Sequence, residues 1–155
     1  MPYTVADALE QTRAARQHFL KHLAGLTDEQ WDWKPYAECN SIRQTIAHLI
    51  VDDRAGLDTL KSGEFPDYES FKPAETETDA LLARLEESHC ALTGYIGSQL
   101  ADTPLETEIR FHGETMKLGA ALGLLNTEDY YHAGQVAFIR LATDPKWDYY
   151  AAIYG

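Results

Sequence analysis

The stretch TEDYYHAGQVAFIR, Thr127 to Arg140, reads as an amphipathic helix with the wrong chemistry on its buried side. At about 100° per residue, the apolar stripe of this helix is centred by Leu118, Ala121, Leu122, Leu125, Val136 and Ile139. His132 falls in the middle of that set and Asp129 close beside it. Glu128 lies at the edge, one turn before His132 on the same side. A buried carboxylate or imidazole without partners costs on the order of several kcal/mol, so something must satisfy these groups.

A second helix offers the counterpart. In SIRQTIAHLIVDDRAGL, His48 flanks a stripe defined by Ile42, Ile46, Leu49, Ile50, Leu57 and Leu60. Asp52 lies one turn further on, and Asp53 falls inside the stripe, where it needs a partner. His48 is roughly 10 Å from the start of its helix and His132 roughly 15 Å from the end of its own. If the two helices run antiparallel, the imidazoles stand at similar height.

Two imidazoles and a carboxylate converging inside a helical bundle form a set that binds divalent metal. It matches the three-ligand catalytic zinc pattern, which leaves a position open for water or substrate, and the facial triad of non-haem iron. Spacing alone leaves a second reading open, in which His132 and Glu128 only hydrogen-bond each other or the backbone. Asp52, Asp129 and Gln135 are candidates for groups behind the ligands or facing a substrate. Gly134 weakens its helix by about 1 kcal/mol relative to alanine, and tight helix packing is the simplest reason for it. His89 is expected to be a packed core histidine, and His18, His22 and His112 surface or turn residues.

Four long helices must position these groups. The first runs from about Val5 to Leu23, and Gly25 ends it. Thr27 opens TDEQW, a capping-box sequence that predicts a short helical turn closed by Pro35. The second long helix starts after Asn40-Ser41 and continues to about Lys61, the third starts after Thr76, and the fourth covers about Leu118 to Ala142, stopped by Asp144-Pro145. Alternation over Glu106 to Phe111 before His112-Gly113 predicts a small β-hairpin. The irregular segment from Ser62 to Glu75 could extend over 40 Å at roughly 3.3 Å per residue. It can therefore span the bundle and permit an all-α four-helix bundle of up-down-down-up order. The aromatic tail KWDYYAAIYG must cover the bundle or a second subunit.

The 155 residues, 45% of them hydrophobic, suit one globular domain spanning 1–155. With 13 basic residues against 25 acidic ones, and a net charge of −12, duplex nucleic acid is a poor partner. No apolar run approaches the roughly 20 residues that span a bilayer, and the N-terminal residues lack the order of a signal peptide. Cys39 and Cys90 are expected as reduced thiols, and the protein as cytoplasmic.

WDWKPYAECNSIRQTIAHLIVDD, followed far downstream by EDYYHAGQVAFIR, resembles the DinB-like family of metal-binding helical bundles. The hallmarks are a Trp-x-Pro loop, a Ser-Ile helix start leading to one histidine, and a later histidine running into Gly-Gln; the resemblance covers almost the whole chain. It implies an up-down-down-up four-helix bundle, a homodimer, and a metal site of His48, Glu128 and His132. Where the family usually has its other histidine this chain has Glu128, which can still ligate but suits harder ions. The resemblance implies zinc, nickel, iron or manganese as the ion. It also implies a transferase using a low-molecular-weight thiol of the bacillithiol, mycothiol or glutathione type, or a related hydrolase acting on a small-molecule substrate. The alternative is a non-catalytic dimeric bundle that has lost or never used the metal.

Overall fold

Hydroxyl caps start three of the helices. In the computed structural model, which describes residues 2–155, Thr4 caps α1 (Val5–Lys21), Thr27 caps α2 (Asp28–Asp32) and Ser41 caps α3 (Ile42–Ser62). In each case the cap oxygen accepts the backbone N–H three residues on, while the side chain there (Asp7, Gln30 or Gln44) accepts the cap's own N–H. Gly63 ends α3 at φ 76°, a conformation that costs glycine little. α4 (Thr78–Gln99), β1 (Glu108–Phe111), β2 (Glu114–Lys117), α5 (Leu118–Thr143) and the short α6 (Tyr149–Tyr154) follow. β1 and β2 form the expected antiparallel hairpin, with Phe111 opposite Glu114 across the His112-Gly113 turn.

The long helices pack α1 on α5 and α4, and α3 on α4 and α5. Their apolar faces form two clusters. One gathers Phe19, Ile46, Leu85, Val136 and Ile139 beneath Trp31, and the other Val5, Leu9, Leu92, Ile96, Leu118 and Leu122. Each long helix crosses from one cluster to the other at a buried polar residue: Arg16 in α1, Asp53 in α3, Ser88 and His89 in α4, and Asp129 in α5. These residues form a polar layer. The Arg16 guanidinium donates to both carboxylate oxygens of Asp53 (3.1 and 3.0 Å), and its Nε–H to Asp129 Oδ1 at 2.6 Å. Ser88 Oγ donates to Asp53 at 2.7 Å. Asp53 thus finds its partner on α1, at Arg16.

Two close approaches hold the layer's surroundings. A Cβ on Gly56 of α3 would sit 2.7 Å from the Cδ2 of Leu125 on α5, so any larger residue there would have to displace that side chain. The hairpin is tied to the end of α3 by Gly113 N–H to Gly63 O (3.0 Å) and His112 N–H to Thr59 Oγ1 (2.7 Å). The tail covers α1: Ile153 is buried, and Lys21 Nζ donates to its carbonyl. That cover corrects the expectation for His22, which is buried rather than exposed. Trp147 and Tyr149 close over its ring, and its Nδ1 meets His18 O at 2.8 Å.

Arg16 is 2% exposed and its loss would leave two buried carboxylates facing each other. Removing one partner of a buried ion pair costs about 3–5 kcal/mol. Arg16→Met is therefore expected to lower the free energy of unfolding by about that amount, read from the midpoint of urea denaturation.

Candidate metal centre

α3 and α5 bring four side chains to one point: His48, Asp52, Glu128 and His132 each offer an atom, and these atoms lie within 4.8 Å of one another. His48 and Asp52 are one turn apart on α3, as are Glu128 and His132 on α5, so each helix presents a pair on one face. His48 Nε2 is 3.0 Å from Asp52 Oδ2 and 3.6 Å from Glu128 Oε2, and His132 Nε2 is 3.3 Å from that same Glu128 oxygen. Ligand atoms bound at about 2.0–2.2 Å to one ion stand roughly 2.9–3.5 Å from their neighbours, depending on geometry. The quartet's spacings therefore fit around a single divalent cation.

The state of His132 strengthens that fit. Its Nδ1 lies 2.7 Å from Gln135 Oε1, which can only accept, so Nδ1 carries the proton and Nε2 keeps its lone pair. Burial holds the imidazole below its ordinary pKa, so the neutral form persists. His132 Nε2 is buried without a hydrogen-bond partner, and Asp52 Oδ2, also buried, has only the His48 ring nitrogen within reach, 3.0 Å away. A cation satisfies a lone pair and a carboxylate together.

A family model described as the DinB superfamily matches residues 11–136, a span that holds all four side chains. The chain belongs to the DinB superfamily. The crystal structure of a DinB-like protein, YjoA from Bacillus subtilis, shares the fold with a TM-score of 0.61 at 20% identity, covering 94% of this chain and 96% of that one. No curated protein matches the chain.

Among the sequence candidates, the structure brings His48, Asp52, Glu128 and His132 together. Gln135 orients His132 from behind. Asp129 gives its Oδ1 to Arg16 while lining the same cavity as Glu128. Gly134 serves no close packing, because a Cβ there would meet nothing within 4 Å. It borders an outer cleft with Tyr36, Cys39, Tyr131 and Phe138. His89 is a core histidine, 3.8 Å from Asp53.

Two neighbours of the quartet escaped the sequence reading. A cavity of about 470 Å³ beside His48, Asp52 and Glu128 is also lined by Tyr68, from a 3-10 turn (Tyr68–Phe71), and by His112 of the hairpin turn. No periodic pattern marks either residue.

Burial, opposed by the His48 imidazole and reinforced by the Glu128 carboxylate, raises the Asp52 carboxyl from its ordinary 3.8 to about 6. The folded protein then holds this proton more tightly than the unfolded chain. Ionised Asp52 consequently destabilises the metal-free fold, increasingly as pH rises from about 4 to about 6 and fully above that. Asp52→Asn should raise the melting temperature of chelator-treated protein at pH 7 to 8, with the gain fading on acidification and gone below about pH 4. A gain that does not change with pH would contradict this origin.

Proposed function

We propose that this DinB-superfamily chain, a single domain over 1–155 with its long helices in up-down-down-up order, is a divalent-metal-dependent enzyme of the transferase or hydrolase type. His48, Glu128 and His132 are its ligands, and Asp52 is a fourth donor or a base beside them. The observation that carries this reading is the buried, undonated lone pair of His132 facing two carboxylates and a second imidazole. A bound divalent ion acidifies a coordinated water or thiol and polarises a substrate oxygen. The chain's own groups prepare that chemistry. Gln135 fixes the tautomer of His132, a supporting contact of the kind that tunes metal affinity. Asp52, with its pKa near 6, is suited to accept a proton near neutral pH when it is not itself a ligand.

Two imidazoles and two carboxylates would fill a tetrahedral ion, whereas a five- or six-coordinate one keeps room for substrate. With all four bound, manganese, iron or nickel fits the catalytic reading better than zinc. A low-molecular-weight thiol enters only through the family resemblance. The implied homodimer is supported by the exposed apolar line Leu124, Tyr131 and Phe138 along α5.

A non-catalytic bundle is the second reading. The His48–Asp52 contact of 3.0 Å favours it, because that pair needs no ion. Elemental analysis separates the two. Untagged protein is expected to carry about one divalent ion per chain, His132→Ala to lose it, and Gln135→Leu to weaken binding by roughly 10- to 100-fold. Protein that holds no ion, with a melting temperature indifferent to chelator, would establish the second reading.

A further inference from the structure

The cavity beside the quartet has a composition that restricts what enters it. Part of its wall is apolar, formed by Leu49, Leu92, Phe111, Leu124 and Leu125. The rest bears four carboxylates, those of Asp52, Asp53, Glu128 and Asp129, and a single cation, Arg16. Arg16 is fully committed, with two donors on Asp53 and one on Asp129. Carboxyl groups thus outnumber the guanidinium four to one on this wall. Among the described residues of the wall, only hydroxyl and imidazole groups, and no uncommitted guanidinium or ammonium, are left to meet an anion.

Tyr68 and His112 are the remaining large polar groups on this wall. The Tyr68 hydroxyl is 3.5 Å from His112 Nε2, so the two form a weak contact that a ligand can replace. The imidazole stacks on buried Phe111 with ring centres 4.4 Å apart, and it lies 5.8 Å from the Phe65 ring. His112 has φ 53°, a left-handed position that Gly adopts readily and that Asn, Asp and His adopt more often than other side chains, so Asn or Gly would complete the same turn. The hairpin thus places an imidazole against the cavity at a turn position that does not require one. Burial keeps that imidazole below its ordinary pKa, so it adds no positive charge.

Resting on the reading of the quartet as a metal centre, we propose that the cavity takes a neutral or cationic small molecule with an apolar body, an amine or alcohol rather than a carboxylate or phosphate. The Tyr68 hydroxyl and the His112 imidazole hydrogen-bond its polar group. Multiply anionic thiols are thereby disfavoured as the co-substrate. The cavity's volume of about 470 Å³ admits a molecule with one aromatic ring.

Three probes of matched size test the assignment: benzylamine, benzyl alcohol and benzoate. Their affinities for zinc-loaded and for chelator-stripped protein are compared at low ionic strength by saturation-transfer NMR, with ion content measured on the same samples. Benzylamine and benzyl alcohol are expected to bind at least tenfold more tightly than benzoate, with the advantage of benzylamine greatest in the stripped protein. Tyr68→Phe and His112→Asn should each weaken benzylamine binding several-fold without changing ion content; asparagine preserves the left-handed turn. Benzoate binding as well as the other two, no binding by any probe, or unchanged affinities in both variants would overturn the proposal. Protein that retains none of zinc, manganese, iron and nickel overturns only the metal reading, because the preference for amine over carboxylate is expected in the stripped cavity as well.

Discussion

The fold and the site both depend on one buried ion cluster. Arg16 joins α1 to α3 through Asp53 and to α5 through Asp129, and no other cation lines the cavity to replace it. Consecutive residues on a helix point about 100° apart. With Asp53 turned inward to the guanidinium, Asp52 faces the gap between α3 and α5, and with Asp129 turned inward, Glu128 faces that same gap. Two adjacent acid pairs are thus divided between structure and chemistry by one side chain. The cluster sets the height of α3 against α5, and the quartet inherits that height.

The cost of such a layer explains how it is built. A buried arginine with two carboxylates carries a surplus negative charge, and Asp53 is eased by Ser88 as well as by Arg16. His89, Arg16 and Ser88 together hold Asp53 below the usual carboxylate range despite its burial, whereas burial outweighs Arg16 at Asp129 and raises it. Apolar clusters on either side exclude water and strengthen these contacts. A layer of this kind specifies which helix faces which, because a slip of one residue would bury a charge without its partner.

Helical periodicity showed which faces were buried and that His132, Asp129 and Asp53 had no business there unpaired. It also placed the caps at Thr27 and Ser41, the hairpin turn, and three members of the quartet. What it could not supply were partners across long sequence separations. Arg16 stands seven residues from both Leu9 and Leu23 and three before Phe19, so spacing places it on the apolar side of its helix, but not against any particular acid. Tyr68 sits in an irregular connection and His112 at a turn, where no period operates, and His22 is buried by a tail whose docking is wholly tertiary. Gly134 failed for a related reason: the sequence shows that a glycine is present but not whether its missing Cβ opens space to a helix or to a cleft.

The carboxylate at 128 ties the character of the ion to that of the ligand. The family resemblance implies a histidine there, and a third neutral imidazole would leave a divalent ion with most of its charge. In the proposed site Glu128 and Asp52 together would cancel that charge, which would make a coordinated water less acidic and suit harder, higher-coordinate ions. The same two carboxylates line the cavity, where the charge they supply also repels an anionic guest. Exchanging glutamate for histidine at this position would therefore change more than a donor atom: it would return positive charge to the ion and remove negative charge from the cavity wall. In the proposed site, selectivity for the ion and for the substrate's charge would be two consequences of one side chain.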